Sequence, residues 1–350
     1  MENSWVADLV PIARKLVDLC EVHREETVII FSDDGTVRAW EAAFHAAAAD
    51  LGCDALVYRC AARQGYMVDF PPRAVEAMLH ADIVFDLTTA VWAYTDTHGR
   101  LTGPEQRVRV AYVGGGKESI ERVRLIPPDP ELGHRIHRAH KLVDEATTFH
   151  LTSRLGTDLI LQRGNRVEFP VLMQGIPVTE AGQFGDLFGG WVAVALDEAG
   201  VNGVVQYVGA YDAVGGPRQR VVDEPIELEI EHGRLTRIGV AHQEAKILSE
   251  WFASWRDPNS YRFSHFNVGL DHRARHHRFP DTNLHAAYGG MILAFGSNYS
   301  PGIFGSGSVV RARSHIDLTL TGASLQIDER PVLVDGEFVP DSGLAPQEAP

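Results

Sequence analysis

The chain is short of cysteine, of long apolar runs and of basic charge, and each shortage removes a class of protein. Its three cysteines, Cys20, Cys53 and Cys60, are odd in number, lie within the first 60 residues and form no C-x-x-C pair. They read as core or surface thiols in a reducing, cytoplasmic setting rather than as a disulfide framework. No stretch approaches the ~18 uninterrupted apolar residues of a membrane span. The opening Met1-Glu2-Asn3-Ser4-Trp5 has neither the basic nor the apolar region of a signal peptide, so neither membrane nor secretion is expected. Lys and Arg total 32 against 47 Asp and Glu, a net charge of −15, which excludes nucleic acid or an anionic membrane surface as the expected main partner. A dinucleotide fingerprint is missing too. The first apolar strand runs into Ser32-Asp33-Asp34-Gly35-Thr36, with one glycine and two carboxylates where a pyrophosphate would need backbone N–H groups. Gly114-Gly115-Gly116-Lys117 lacks the spacing of a phosphate loop and reads as a strand-to-helix turn, so no nucleotide cofactor is expected. No internal repeat is visible.

What is present describes a soluble globular protein: 45% hydrophobic and 23% charged residues in 350, enough for two domains. Residues 5–20 place Val6, Leu9, Val10, Ala13, Leu16, Val17 and Cys20 on one helical face. Apolar strands are expected at 27–31, 55–58, 82–87 and 109–113, with helices at 37–51 and 73–79 between them. That alternation predicts a parallel sheet covered by helices. Pro127-Pro128-Asp129-Pro130 breaks the chain before a helix over 130–146, whose His134, His137 and His140, interleaved with Arg135, Arg138 and Lys141, read as a solvated basic face. From Thr148 the pattern shifts to short strands and turns, with a hairpin closed by His232-Gly233 and a helix over 244–255. The boundary is therefore placed near 147, giving domains 1–147 and 148–350. The fold class is α/β, with an N-terminal Rossmann-like parallel α/β domain and a C-terminal strand-rich α+β domain.

The chemistry concentrates between Tyr261 and Leu320. Ser314-His315-Ile316-Asp317-Leu318 is an H-x-D pair in an alternating pattern, and on a strand residues two apart share a face. His315 and Asp317 can thus present an imidazole and a carboxylate to one point. A second histidine, His265 in Ser264-His265-Phe266, is the candidate for a third ligand. Two histidines and one carboxylate leave open positions that suit Fe(II) and O₂ chemistry. An H-x-D pair on a strand is also common without any metal, and a structural role for each residue stands open beside the metal reading.

Three segments together carry a family resemblance: Phe263-Ser264-His265-Phe266-Asn267-Val268-Gly269-Leu270, Ala287-Tyr288-Gly289-Gly290-Met291-Ile292-Leu293, and Ser314-His315-Ile316-Asp317. The sequence resembles the 2,5-dihydroxypyridine 5,6-dioxygenase family, a branch of the aminopeptidase T (M29) superfamily. The resemblance implies that His265, His315 and Asp317 hold Fe(2+) in the C-terminal domain. It further implies an oxidoreductase of aromatic catabolism that opens a hydroxylated ring with O₂, and a symmetric homo-oligomer as its assembly.

Candidates for contact with the ring are Trp92, after the third strand, Asp186 in the Gly-rich 182–190, His285 before Gly289-Gly290, and Ser297 after Phe295-Gly296. By resemblance a histidine is expected near Trp92 and polar groups near Asp186 and Ala294, and this sequence departs at all three. The basic run Arg273-Ala274-Arg275-His276-His277-Arg278 reads as a solvated loop or as a rim for an anionic ring. Two other functions compete. A two-metal aminopeptidase needs further carboxylates and a histidine, and the corresponding positions here carry His265, Leu284 and Met291. A non-catalytic metal-binding scaffold would keep His265, His315 and Asp317 without using them.

Overall fold

The computed structural model describes residues 2–62, 67, 69–90, 92–103, 105–125, 129–164, 171–211, 220–274, 286–299 and 310–346. They form two compact units, one over 1–128 and 174–189, the other over 129–173, 190–299 and the described residues from 310 on.

The first unit runs α1 (Glu2–Leu19), β1 (Thr27–Asp33), α2 (Arg38–Asp50), β2 (Asp54–Cys60), α3 (Pro72–Leu79), β3 (Ile83–Leu87), α4 (Asp96–Leu101), β4 (Arg109–Tyr112) and α5 (Lys117–Leu125). Its sheet has the order β2-β1-β3-β4 and every pair is parallel. Strand periodicity splits the core in two. Val28 and Ile30 of β1 pack with Leu9, Leu16, Trp40 and Phe44 of α1 and α2. Ile29 and Phe31 pack on the other side with Phe70, Val75, Met78 and Trp92. Helices therefore cover both faces, as the apolar runs of β1 and β3 require. The helix α4 was not foreseen. It is a six-residue turn of helix capped by Thr95, whose hydroxyl accepts from His98 N–H at 3.2 Å, and is too short to show periodicity. The glycine turn before α5 has a packing cause: a Cβ on Gly115 would lie 1.8 Å from the Leu87 carbonyl oxygen.

The second unit begins with α6 (Pro130–Asp144) and continues with β5 (Thr148–Thr152), β6 (Asp158–Gln162) and β7 (Leu172–Gln174). The chain then returns to the first unit for β8 (Phe184–Asp186), which extends the parallel sheet by pairing Tyr112 with Asp186. This return draws 174–189 into the first unit, and the units divide at Pro128 and Asp129 rather than at the composition change near 147. Back in the second unit follow β9 (Trp191–Val194), β10 (Asn202–Tyr211), β11 (Arg220–Glu231), β12 (Arg234–Ile238), α7 (Gln243–Ser254), β13 (Phe263–Gly269), β14 (Met291–Gly296), β15 (His315–Leu320), β16 (Ser324–Ile327), β17 (Arg330–Val334) and β18 (Glu337–Phe338).

These strands form one large sheet, β18-β17-β16-β5-β6-β10-β15-β14-β13-β9-β7, with the β11–β12 hairpin attached at β10. The hairpin turns at His232 and Gly233, both with positive φ, as expected of a two-residue turn. The α6 basic face needs one correction. Arg135 is buried, and its Nη1 donates to the Leu270 carbonyl at 3.0 Å instead of facing solvent.

Candidate metal centre

The site is built on three adjacent strands of the second unit, β13, β14 and β15, whose residues are all buried. Only β14 is apolar throughout, as burial on both sides demands; β13 and β15 interleave polar with apolar residues and yet are buried, so their polar positions stand out. Antiparallel register sets Gly296 opposite His315, Ala294 opposite Asp317 and Ile292 opposite Thr319. On the other side Phe266 faces Leu293 and Asn267 faces Ile292, with an irregularity between Phe263 and Phe266. One face carries the apolar row Val194, Phe266, Leu293, Leu318 and Tyr211. The other carries His265, Asn267, His315, Asp317 and Thr319. His265 lies inside the irregular stretch, and such bulges re-aim a side chain.

The three expected ligands converge. One ligand atom from each of His265, His315 and Asp317 lies within 4.8 Å of the other two. His265 Nε2 is 3.8 Å from Asp317 Oδ1, and His315 Nε2 is 3.3 Å from Asp317 Oδ2. The imidazoles lie at 5.1 Å between centroids, with planes 27° apart. The middle strand makes this convergence possible, because opposite Asp317 and His315 it presents only Ala294 and Gly296.

Each imidazole is oriented through its other nitrogen. His315 Nδ1 is 2.7 Å from the Ser297 carbonyl oxygen, which can only accept, so Nδ1 carries the proton and Nε2 offers its lone pair. His265 Nδ1 is 2.7 Å from Asn267 Oδ1, which fixes the same tautomer. The Ser297 carbonyl is itself held by Ser264 Oγ at 3.1 Å, and the Ser297 N–H donates to the Ser314 carbonyl at 2.8 Å. Two neutral imidazoles with Nε2 directed inward, one carboxylate and fixed tautomers make a donor set that fits a divalent metal taking nitrogen and oxygen ligands.

The other site candidates fall in different places. Ser297 is at the centre, yet it acts through its main chain, while its hydroxyl donates to the Val310 carbonyl at 3.3 Å. Trp92 belongs to the first unit. It is buried there, its Nε1 donates to Asp86 Oδ2 at 2.5 Å, and Phe70, His98 and Phe184 meet its ring edge to face. Asp186 is also in the first unit, where its Oδ1 accepts from Phe188 N–H at 2.9 Å. His285 lies outside the described residues, as do 275–278 of the basic run. Asn267 was missed as an orienting residue. Its signal was the H-x-N spacing, which places it on the His265 face as H-x-D places Asp317 beside His315.

The comparisons bear on the fold and the family. A solved 2,5-dihydroxypyridine dioxygenase from Pseudomonas putida KT2440 superposes with a TM-score of 0.81 over 96% of this chain and 98% of its own, at 21% identity. Wild-type AmpT from Thermus thermophilus shares the fold at a TM-score of 0.64, over 94% and 99% of the two chains at 14% identity. In sequence, the 2,5-dihydroxypyridine 5,6-dioxygenase of P. putida KT2440 is 26% identical over 284 residues, 79% of this chain and 74% of that protein. The signature of the NicX family, 2,5-dihydroxypyridine 5,6-dioxygenase, matches residues 8–340, and the chain belongs to that family.

Proposed function

We propose that the protein is a mononuclear Fe(II) dioxygenase that opens the ring of a hydroxylated N-heteroaromatic, a dihydroxypyridine in the first instance, with O₂. The observation that carries the reading is the buried convergence of His265, His315 and Asp317 in a chain of this family. When bound, the iron supplies the activation of O₂ toward an electron-rich ring and favours the deprotonated form of a ring hydroxyl. The chain's own residues hold and orient. His265 and His315 offer Nε2 as neutral donors because Asn267 and the Ser297 carbonyl take their Nδ1 protons. Asp317 contributes the one formal negative charge of the set. Ala294 and Gly296 keep the floor between the ligands low. The buried surroundings exclude bulk water, which strengthens every electrostatic contact made there.

A two-metal hydrolase is the less favoured reading. Such a site needs several bridging and terminal carboxylates, and the trio, with a single carboxylate, is the only candidate metal cluster among the described residues.

The deciding experiment is metal content of anaerobically purified protein together with O₂ uptake on hydroxylated pyridines and phenols, with His265→Ala and Asp317→Ala alongside. We expect iron near one per chain and ring-dependent O₂ uptake, both lost in the variants. Zinc or cobalt at two per chain with peptide hydrolysis would overturn the proposal.

A further inference from the structure

We propose that an open surface cavity beside the C-terminal end of α7 is a binding site for a small organic dianion, with Arg256 and Arg313 as its charged walls. The cavity has a volume of about 460 Å³ and is lined by Ser254, Trp255, Arg256 and Arg313. That lies within the ~300–1,000 Å³ of small-molecule sites and leaves room for a carbon skeleton. The inference is independent of the ring chemistry, since none of the four residues belongs to the metal centre.

The charge around this opening runs against that of the chain, which is −15 overall. Five arginines gather on the turn 255–261 and the segments bonded to it. Arg234 and Arg262 form a β-bridge, and Arg234 Nη1 donates to the Pro258 carbonyl at 2.8 Å. The Arg311 carbonyl accepts from Asn259 Nδ2 at 2.9 Å, and its guanidinium lies 3.5 Å from the centre of the Tyr299 ring. The one carboxylate of the turn, Asp257, is committed to main chain. Its Oδ1 accepts from Asn259 N–H at 2.9 Å and its Oδ2 from Arg313 N–H at 2.7 Å. The guanidinium groups of Arg256, Arg262 and Arg313 have no partner among the described residues. The end of α7 accounts for one of these cations at most, because a helix C-terminus carries only about half an elementary charge.

Two unpartnered guanidinium forks on one cavity suit oxyanions, since each fork can give two parallel N–H bonds to a carboxylate or a phosphate. The Ser254 hydroxyl already donates to the Trp251 carbonyl at 2.7 Å, so recognition of negative charge falls to the arginines. Trp255 supplies an apolar wall for the carbon skeleton between the charges. The ligand class is a small molecule with two oxyanion groups, carboxylate or phosphate. Its two partners come from separate segments. Arg256 follows α7, and Arg313 stands two residues before His315, the first residue of β15. A dianion held by both joins those segments in the native state alone, and should therefore stabilise the fold.

The test is calorimetry and thermal unfolding of the full chain with succinate, 3-phosphoglycerate, acetate and the uncharged succinamide. Succinate or 3-phosphoglycerate is expected to bind at least about tenfold more tightly than acetate and to raise the unfolding temperature, with succinamide inert. The better of the two dianions tells carboxylate from phosphate. Its affinity should fall severalfold as salt is raised. Arg256→Gln and Arg313→Gln should each weaken it by roughly tenfold. Both side chains are exposed and the Arg313 N–H is kept, so neither change should alter unfolding without ligand. Arg262→Gln, outside the cavity lining, should bind as wild type does. Failure of both dianions to bind, unchanged affinity in Arg256→Gln and Arg313→Gln, or an equal loss in Arg262→Gln overturns the site. A polyglutamate peptide that binds more tightly than either dianion also overturns it, and assigns the patch to an acidic protein partner.

Discussion

His265 and His315 come from strands that never pair with each other, yet their rings stack at 5.1 Å and each turns its Nδ1 to an oxygen 2.7 Å away. One oxygen belongs to a side chain, Asn267, and the other to the main chain at Ser297. The orientations of the two histidines are therefore unequally open to mutation. Asn267→Ala should weaken iron binding by roughly 10–100-fold, read by chelator competition. Asn267→Asp, which still accepts from Nδ1, should lose much less.

Ser297→Ala is the converse case. The His315 contact is to the carbonyl, which alanine retains, so iron content should be unchanged. Loss of the hydroxyl bond to Val310 should cost about 1 kcal/mol of stability in denaturant titration. A large rise in KM for the ring with iron retained would instead assign the Ser297 hydroxyl to the substrate.

Ala294 stands opposite Asp317 on the strand between those of His265 and His315, and carries no more than a methyl group. Ala294→Leu should push the ligands apart and abolish iron binding, while overpacking costs about 1–3 kcal/mol of stability. Metal analysis and thermal unfolding of the purified variant check both effects. A variant that keeps its iron would place the Ala294 side chain outside the centre.

Gly296 has φ +99°, and a Cβ there would lie 2.2 Å from the Ser314 carbonyl oxygen. Gly296→Ala must disturb the pairing opposite His315. We expect at least about 2 kcal/mol of destabilisation by chemical denaturation, together with weaker iron binding.

The first unit should respond to pH through two buried groups beside Trp92, with opposite signs. Burial lowers His98 to about 3, below its unfolded value, so its contribution is present above pH 6.5 and is lost as pH falls toward 3. Burial raises Asp86 to about 6, above its unfolded value, so its contribution is present below about pH 4 and is lost as pH rises through 6. Stability of wild type, His98→Leu and Asp86→Asn, measured by urea titration from pH 4 to pH 7, should separate them. The histidine variant should lose part of its acid sensitivity, and the aspartate variant should lose part of the decline between pH 4 and 6.

The sequence by itself determined the parts whose signal is local. The apolar runs of β1 and β3, the period of α1, the His232-Gly233 turn and the face shared by His315 and Asp317 all follow from alternation, helical spacing and turn chemistry over a few residues. The family followed from the segments around His265, Gly289 and Asp317. Only the tertiary structure decided what depends on pairing between distant strands. It set β13 and β15 on either side of β14, so that Ala294 and Gly296 leave room for the trio. It also turned Asn267 toward His265, aligned Thr319 with it across Ile292, and returned Asp186 to the sheet of the first unit. Register is a property of the pair, set by burial and turn geometry on both strands. No single strand records which residue will face it.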